Sequence, residues 1–362
     1  MSLRIMSKKS YVGLDLGHHS IKGCVIKRSQ VGWIVTHAAS VPTPPGAIRE
    51  GIVTGKSEVA TAIRGLLKVL GTKVNACHIS VGGSAVVVRT VQIPKMSENT
   101  LRKSIKFEAG RYVPNSPEES YIEFDILGET EDGQMNTMIV AVPREIVDSR
   151  REACEMAGLD VDSVDIEPFA AYRSLIESNH GVDPHSDTFA IIDLGASSTK
   201  VSVISGGNFA MARSIPQGSS ILTEALQRYF KLNADDAEEG KAQLDVRNLL
   251  DDGKPTENPP LRVMQPHLDD LIREIRRSLN YYQSQQTEAG TPGVVNWMLI
   301  TGGGANLQGI ADYLSTKLGI KVYTASIFDN PRVAFTGDDL SQRGAELAVA
   351  SGLAMRSYAK SA

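Results

Sequence analysis

The feature that most constrains this chain is a stretch that occurs twice. YVGLDLGHHSIKGCVI spans residues 11 to 26 and FAIIDLGASSTKVSVI spans residues 189 to 204, with Asp, Leu, Gly, Ser, Lys, Val and Ile in register. Each copy reads as a strand, a tight turn and a second strand, with Gly17 and Gly195 where the backbone bends. The duplication predicts two related lobes.

An acid interrupts each otherwise apolar strand. Asp15 and Asp193 are poor core residues, and either one alone could be a turn residue that bonds its own backbone. Because both copies place an acid at the same position, a ligand site is an alternative for the pair. Acids at strand ends with backbone N–H groups nearby suit a hydrated Mg²⁺ and a polyphosphate.

A third element, which is rich in glycine, also suits a phosphate-containing ligand. Residues 294 to 319, VVNWMLITGGGANLQGIADYLSTKLG, read as a buried strand, a glycine run and a helix. Such a run lets a flat ligand or a phosphate approach the backbone near a helix N-terminus. The Rossmann fingerprint GxGxxG does not fit, and the P-loop pattern fails because Glu50 stands where its first glycine is required. A nucleotide site, if present, is of another kind.

Composition excludes several classes of protein. A length of 362 residues fits roughly two domains. With 38 basic against 42 acidic residues the chain lacks a broad positive field, which argues against nucleic acid as a partner. Cys24, Cys77 and Cys154 are predicted to be reduced, buried thiols. Neither a signal peptide nor an apolar run of roughly 18 residues is evident, so a cytoplasmic location is expected.

The motifs GLDLGHHSIKG, IIDLGASSTK and LITGGGANLQGI, in this order, resemble the two phosphate loops and the adenosine loop of the actin-like ATPase superfamily, to which FtsA belongs. The resemblance implies an α/β, two-lobed actin-like ATPase fold of duplicated ribonuclease-H-like domains with an inserted α+β subdomain, and a central cleft that binds ATP and Mg²⁺. The metal would be held through water by Asp15 and Asp193. The residues implied at the nucleotide are Gly17, His18, His19, Ser20, Lys22, Gly195, Ala196, Ser197, Ser198, Thr199, Gly218, Ser219, Arg276, Arg277, Asn280, Gly302, Gly303, Gly304 and Asn306.

Three of these implied roles have a purely structural alternative. Lys22 would reach the β- and γ-phosphates, or it is a solvated hairpin lysine. Glu167, the implied catalytic residue, would orient the attacking water, or it is a helix-start acid beside Pro168. The basic face of the helix at residues 267 to 286 would contact base and ribose, or it is solvated. His18 replaces a phosphate-loop serine of actin, so the expected activity is at most slow ATP hydrolysis.

Residues 84 to 167 read as an inserted βαββαβ unit with a turn at residues 131 to 134. Within it, VQIPKMSENTLRKSIKFEAGRYVPNSPEE at residues 91 to 119 resembles the PilM family of type IV pilus assembly proteins, as does TPPGAIREGIV at residues 43 to 53. The resemblance implies a scaffold that docks the cytoplasmic N-terminal segment of a PilN-like inner-membrane protein, with pilus motor ATPases and self-association as further expectations. The implied groove residues are Phe107, Arg111, Tyr112 and Val113, although each could instead close a local core.

The remaining chain divides around these landmarks. Residues 344 to 356 are apolar nearly all round, which predicts a buried helix rather than the membrane helix of FtsA-type proteins, so membrane attachment would come through a partner. Residues 240 to 266 are predicted to be a loop or linker. An FtsA-like filament protein and a small-molecule kinase stay open as alternatives.

The predicted boundaries are 8–83 for the first lobe, 84–167 for the inserted subdomain, 168–188 for a connecting helix region, 189–343 for the second lobe and 344–362 for a C-terminal helix returning to the first lobe.

Overall fold

The computed structural model describes residues 9–113, 116–130, 132–179, 183–250, 258–288, 293–335 and 341–358. Two compact units are formed. Unit 1 comprises Met1–Val81, Glu145–Asn179 and Ile327–Ala362, and unit 2 comprises Gly82–Arg144 and His180–Ser326. Among the described residues, no helix combines the length and the apolar composition needed to cross a bilayer.

The elements are numbered in chain order. The strands are β1 (Tyr11–Leu16), β2 (Ser20–Arg28), β3 (Trp33–Pro42), β4 (Ile48–Arg49), β5 (Ile52–Val53), β6 (Ala76–Val81), β7 (Val87–Pro94), β8 (Ser120–Glu129), β9 (Gln134–Pro143), β10 (Asp160–Ile166), β11 (Phe189–Leu194), β12 (Thr199–Ser205), β13 (Asn208–Ile215), β14 (Trp297–Thr301), β15 (Lys321–Thr324) and β16 (Val333–Phe335). The α-helices are α1 (Lys56–Leu70), α2 (Glu98–Ala109), α3 (Arg144–Met156), α4 (Glu167–Tyr172), α5 (Ser220–Phe230), α6 (Ala234–Ala242), α7 (Pro259–Glu288), α8 (Ile310–Leu318) and α9 (Ala348–Met355).

Unit 1 is built on a six-stranded sheet in the order β10-β6-β1-β2-β3-β16. β1, β2 and β3 form an antiparallel meander, whereas β6 and β10 run parallel to β1. Helices cover both faces, which explains why β1 is an almost continuous apolar run. On one face Leu14 packs with Leu66 of α1, and on the other Cys24 packs with Ala354 of α9. The α9 helix is buried along its whole length, and Gly13 is required where it crosses β1, because a Cβ there would overlap the α9 backbone.

Unit 2 repeats this arrangement. Its five-stranded sheet has the order β13-β12-β11-β14-β15, with an antiparallel meander over β11, β12 and β13, and with β14 and β15 parallel to β11. The long helix α7 buries the apolar stripe predicted from its sequence, which consists of Leu268, Leu271, Ile275, Leu279 and Tyr282. The sequence repeat is therefore a structural repeat.

A smaller three-stranded sheet, β7-β9-β8, lies within unit 2 and carries α2 on one face. The predicted strands and helices of the inserted βαββαβ unit are present, but the structure corrects their grouping. Strand β10 pairs in parallel with β6 of unit 1, and Ala153 and Cys154 of α3 are buried in the core of that unit. The reason is topological, since α3 supplies the crossover that parallel pairing requires. Glu131 of the predicted turn lies outside the described residues.

Two further expectations differ from the structure. β16 pairs in parallel with β3, so residues 333 to 335 of the predicted second lobe belong to the sheet of unit 1. The predicted loop at residues 240 to 266 is partly helical, because α6 runs to Ala242 and α7 begins at Pro259. Prolines are tolerated in a first helical turn, where the missing N–H has no partner in any case. Residues 251–257 lie outside the described part of the chain.

Candidate functional site

In unit 1 the first repeated hairpin places an acid and a lysine side by side. Asp15 near the end of β1 is in register with Lys22 on β2, and Lys22 Nζ donates to Asp15 Oδ2 over 3.1 Å. Both side chains are largely buried. Gly17 is needed at the bend because a Cβ there would lie 2.8 Å from the Ser20 carbonyl oxygen and 3.3 Å from Lys22 Nζ. The pair therefore faces a stretch of bare backbone.

The second hairpin has the same geometry in unit 2. Asp193 on β11 is in register with Lys200 on β12, and Lys200 Nζ lies 3.5 Å from Asp193 Oδ2. A Cβ at Gly195 would lie 2.9 Å from the Ser198 carbonyl oxygen and 3.4 Å from Lys200 Nζ. Lys200 is absent from the predicted site residues. The sequence repeat could have indicated Lys200 as a site residue, because Lys22 and Lys200 each follow their aspartate at the same spacing.

Three glycine-containing segments lie close together around Asp193, Leu194 and Ala196 within unit 2. Gly302 has a positive φ of 85°, and a Cβ there would overlap Asp193 Oδ1. A Cβ at Gly304 would overlap the Leu194 side chain, and one at Gly218 would overlap the backbone of Ala196. The structure thus brings together the predicted second phosphate loop, the turn before α5 and the predicted adenosine loop.

Hydrogen bonds from neighbouring segments stabilise the two predicted phosphate loops. In unit 1, Thr43 Oγ1 donates to the Gly17 carbonyl over 2.6 Å and Thr43 N donates to the His19 carbonyl over 3.0 Å. In unit 2, Ser219 N donates to the Gly195 carbonyl over 2.9 Å, and the buried Thr199 hydroxyl donates to the Gln217 carbonyl over 2.7 Å. The turns are therefore held in shape by their own neighbours. Of the remaining predicted loop residues, Ser20 is buried, His18, Ser197 and Ser198 are half-buried, and His19, Gly303 and Asn306 are exposed.

A buried arginine that the sequence analysis missed supports the first loop. Arg150 of α3 is 2% exposed, and its guanidinium donates to three backbone carbonyls of unit 1. Nε reaches Gly51 over 2.9 Å, and Nη1 reaches Leu16 over 3.2 Å and Ser80 over 3.1 Å. It therefore joins the end of β1, at the residue before Gly17, to the end of β6. An arginine on an amphipathic helix gives no such signal, since it reads as part of the solvated face.

Glu167 lies at the same edge of the unit 1 sheet as Asp15. It directly follows β10, begins α4 and is 7% exposed. Because β1, β6 and β10 are parallel, their carboxyl ends share one edge, and two strand spacings of about 4.8 Å separate β1 from β10. Asp15 and Glu167 therefore lie at the same edge of the sheet, on either side of the end of β6.

The predicted base and ribose contacts lie on the exposed face of α7. Arg276 donates to the Lys317 carbonyl near the C-terminal end of α8, and Arg277 pairs with Glu274 on its own helix. The glycine run precedes the opposite end of α8, so about 10 Å of helix separates the Arg276 contact from that end. Asn280 is exposed. The nucleotide role of these three residues stays a prediction.

Each of the two acids is a possible magnesium ligand that already has a cation beside it. Carboxylate oxygens are what Mg²⁺ prefers, and an ammonium group lies beside Asp15 in unit 1 and beside Asp193 in unit 2. Over the described ranges, no cluster of three or more His, Cys, Asp and Glu residues could hold a metal ion.

A buried polar network lies elsewhere in unit 1. Asp165 pairs with Arg173 over 2.9 Å and with Arg356 over 3.3 Å. His78 contacts the Ser163 hydroxyl through Nδ1 over 2.8 Å and the Ser357 hydroxyl through Nε2 over 2.9 Å. Burial lowers the pKa of His78 below its ordinary value of 6.5. A neutral imidazole thus ties β6 to the segment that follows α9.

The predicted groove residues divide into two sets. On α2 the buried stripe is Leu101, Ile105 and Ala109, and Phe107 faces the other way and is 69% exposed. The Arg111 guanidinium lies 5.1 Å from the centre of the Phe107 ring. Tyr112 packs against the core of the three-stranded sheet, because the chain turns back after α2, and Val113 is half-buried. Phe107 and Arg111 therefore form the exposed surface.

The chain and its fold are similar to several known proteins. The family model for type IV pilus assembly protein PilM matches residues 13–358. A solved PilM-PilN type IV pilus biogenesis complex contains a chain 28% identical to this one, with a TM-score of 0.82 over 97% of this chain and 99% of that chain. MreB5 of Spiroplasma citri, solved with AMPPNP, has a TM-score of 0.53 at 11% identity, over 98% of this chain and 97% of that one.

A curated relative comes from a different process. Cell division protein FtsA of Streptococcus pneumoniae serotype 2 (strain D39 / NCTC 7466) is 21% identical over 352 residues, which is 86% of this chain and 74% of FtsA. These similarities confirm the predicted actin-like fold and its relation to FtsA. Because the family model covers nearly the whole chain, the protein belongs to the PilM family of type IV pilus assembly proteins.

Proposed function

We propose that this protein is an ATP-binding scaffold of type IV pilus assembly that docks the cytoplasmic N-terminal segment of a PilN-like inner-membrane protein. The observation that carries the proposal is the likeness over nearly its whole length to the PilM of a PilM-PilN complex, at 28% identity and a TM-score of 0.82. The partner would hold the protein at the inner membrane, on its cytoplasmic side.

Nucleotide binding is supported by the loops at the two hairpins. Lys22, fixed beside Asp15 and facing the bare backbone of Gly17, would bind the phosphates, and the Gly302 and Gly304 backbone would admit the adenosine. Mg²⁺ would reduce the repulsion between the polyphosphate and the two aspartates. The AMPPNP bound to MreB5 is consistent with this use of the fold.

Glu167 is the candidate for positioning an attacking water. It is a buried acid at the sheet edge that also carries Asp15, about two strand spacings away. A carboxylate there would accept a hydrogen bond from the water and fix its direction. We expect at most slow turnover, because His18 stands where actin has a phosphate-loop serine.

Thermal unfolding with and without ATP tests the nucleotide proposal. ATP at about 100 times its dissociation constant stabilises a protein by about 2.7 kcal/mol, which corresponds to a rise in Tm of about 5–10 °C. Asp15→Asn and Asp193→Asn should lose most of this rise, and EDTA should abolish it in the wild type. Asp160→Asn is the matched control, since Asp160 is an exposed acid on β10. Equal shifts in all four proteins would remove the two aspartates from the site.

The docking surface is proposed at the C-terminal end of α2. An aromatic ring that is 69% exposed and has an arginine beside it is a suitable anchor, because buried aromatics and arginines dominate the binding energy of such contacts. Tyr112 already serves the core of the three-stranded sheet, so its loss would destabilise the fold instead.

Substitutions at this surface test the assignment. Phe107→Ala should weaken binding of a synthetic copy of the PilN-like segment from the same organism by at least about tenfold, as expected for a hot-spot aromatic. Tyr229→Ala is the control, because Tyr229 is an exposed aromatic of similar exposure in α5. If folded Phe107→Ala binds the peptide as tightly as Tyr229→Ala does, the surface lies elsewhere.

A further inference from the structure

Lys200, the lysine of the second hairpin, is not among the site residues expected from the family resemblance. Its side chain is 14% exposed and lies on β12 in register with Asp193 of β11, where the Gly302 backbone approaches the Asp193 carboxylate. A cationic side chain in a site already crowded by glycine backbone is costly to bury without a compensating anion. Asp193 provides one such anion.

The Asp–Lys pair of the second hairpin resembles that of the first. Lys200 Nζ lies 3.5 Å from Asp193 Oδ2, and Lys22 Nζ lies 3.1 Å from Asp15 Oδ2. An ammonium group carries three donors, so it can contact Asp193 and a second anion together. The same lysine lies 3.4 Å from the position that a Gly195 Cβ would occupy, on the side where the loop backbone is bare.

We propose that Lys200 is a phosphate ligand in its own right, which binds the polyphosphate of the nucleotide at the second loop as Lys22 does at the first. The inference rests on the proposed ATP binding and deepens it. Three observations carry it, namely the identical register of the two Asp–Lys pairs, the matching distance from each lysine to its loop glycine, and the approach of the Gly302 backbone to Asp193. The ligand class is a nucleoside polyphosphate.

The competing explanation is that Lys200 only neutralises Asp193. In that case its removal would alter the loop for any nucleotide and would lower the stability of the ligand-free protein. A phosphate ligand predicts a loss that grows with the number of phosphates in the nucleotide. The two explanations therefore separate when ATP is compared with AMP, which lacks the β- and γ-phosphates.

The experiment is calorimetric titration of Lys200→Met with Mg-ATP and with AMP. Lys321→Met is the matched control, since Lys321 is an exposed lysine of the same sheet on β15 and its loss changes the net charge equally. We expect Lys200→Met to bind Mg-ATP at least about tenfold more weakly than Lys321→Met does, the loss of one hydrogen bond to a charged group. AMP affinity should match the control, whereas the ligand-free Tm falls under either explanation, because Asp193 loses its cation.

Each outcome of these titrations supports or contradicts the proposed role of Lys200. If Lys200→Met loses ATP and AMP affinity equally, or loses neither, Lys200 is not a phosphate ligand although the proposed ATP binding stands. If the wild type binds no Mg-ATP, the proposed nucleotide function fails and this inference fails with it. Lys200→Arg, which keeps a cation in place, should recover most of the ATP affinity, and failure to do so would also count against the proposal.

Discussion

Replacing Arg150 by methionine should destabilise the protein far more than any exposed arginine would. The substitution removes a guanidinium that is 2% exposed and donates to the carbonyls of Leu16, Gly51 and Ser80. Methionine fills much of the same volume but cannot donate. Three carbonyl oxygens at the ends of β1 and β6 then lose their common partner.

The magnitude follows from two opposing terms. Hydrogen bonds to a charged group contribute about 1.5 kcal/mol each at the low end, so three account for about 4.5 kcal/mol. Removing a buried charge recovers part of its desolvation cost, which offsets some of that loss. We expect the free energy of unfolding to fall by about 3 kcal/mol, or a drop in Tm of about 6–12 °C.

Arg151→Met is the matched control for thermal unfolding monitored by circular dichroism. Arg151 neighbours Arg150 on α3, but its side chain is 43% exposed and pairs with Asp148 over 3.0 Å and Glu155 over 3.7 Å. Such surface pairs contribute at most about 1 kcal/mol. Arg150→Lys should be intermediate, because it keeps the charge but not the fork of donors. If Arg150→Met melts within about 2 °C of Arg151→Met, the carbonyl bridge does not stabilise the fold.

Two further predictions concern His78 and Glu167. The pKa of His78 is lowered by burial, so below its ordinary value of 6.5 the unfolded chain binds a proton that the folded chain does not; stability should fall as the pH falls below about 6.5, and His78→Gln should flatten this part of a Tm-against-pH curve. A wild-type curve as flat as that of His78→Gln would contradict the buried neutral imidazole. Glu167→Gln should keep the ATP-induced rise in Tm and lower phosphate release in a turnover assay; loss of the rise in Tm at unchanged turnover per bound ATP would instead indicate a structural role.

The repeated hairpins could be predicted because their signal is local. A continuous apolar run ending in Asp-Leu-Gly, repeated with the same spacing to a lysine, predicts strand, bend and strand in both copies. The register then follows, and with it the pairing of Asp15 with Lys22 and of Asp193 with Lys200. The glycine run before α8 was predicted for the same reason.

What could not be predicted depends on which distant elements meet. Strand β10 pairs with β6 and not with its neighbours in sequence, because the pairing is fixed by the packing of α3 and not by any local pattern. Arg150 is buried by that same packing. Phe107 is exposed and Tyr112 is partly buried because of the way α2 is rotated against the three-stranded sheet. Leu101 and Ile105 fix that rotation, but only once the helix is known to pack on this sheet.

The most direct test of the central claim is calorimetric titration of the wild-type protein with a synthetic copy of the cytoplasmic N-terminal segment of the PilN-like protein from the same organism. The account predicts saturable binding of one peptide per chain, with a negative heat-capacity change and little dependence on salt, as expected when apolar surface is buried. Absence of binding at millimolar peptide, both with and without Mg-ATP, would contradict it.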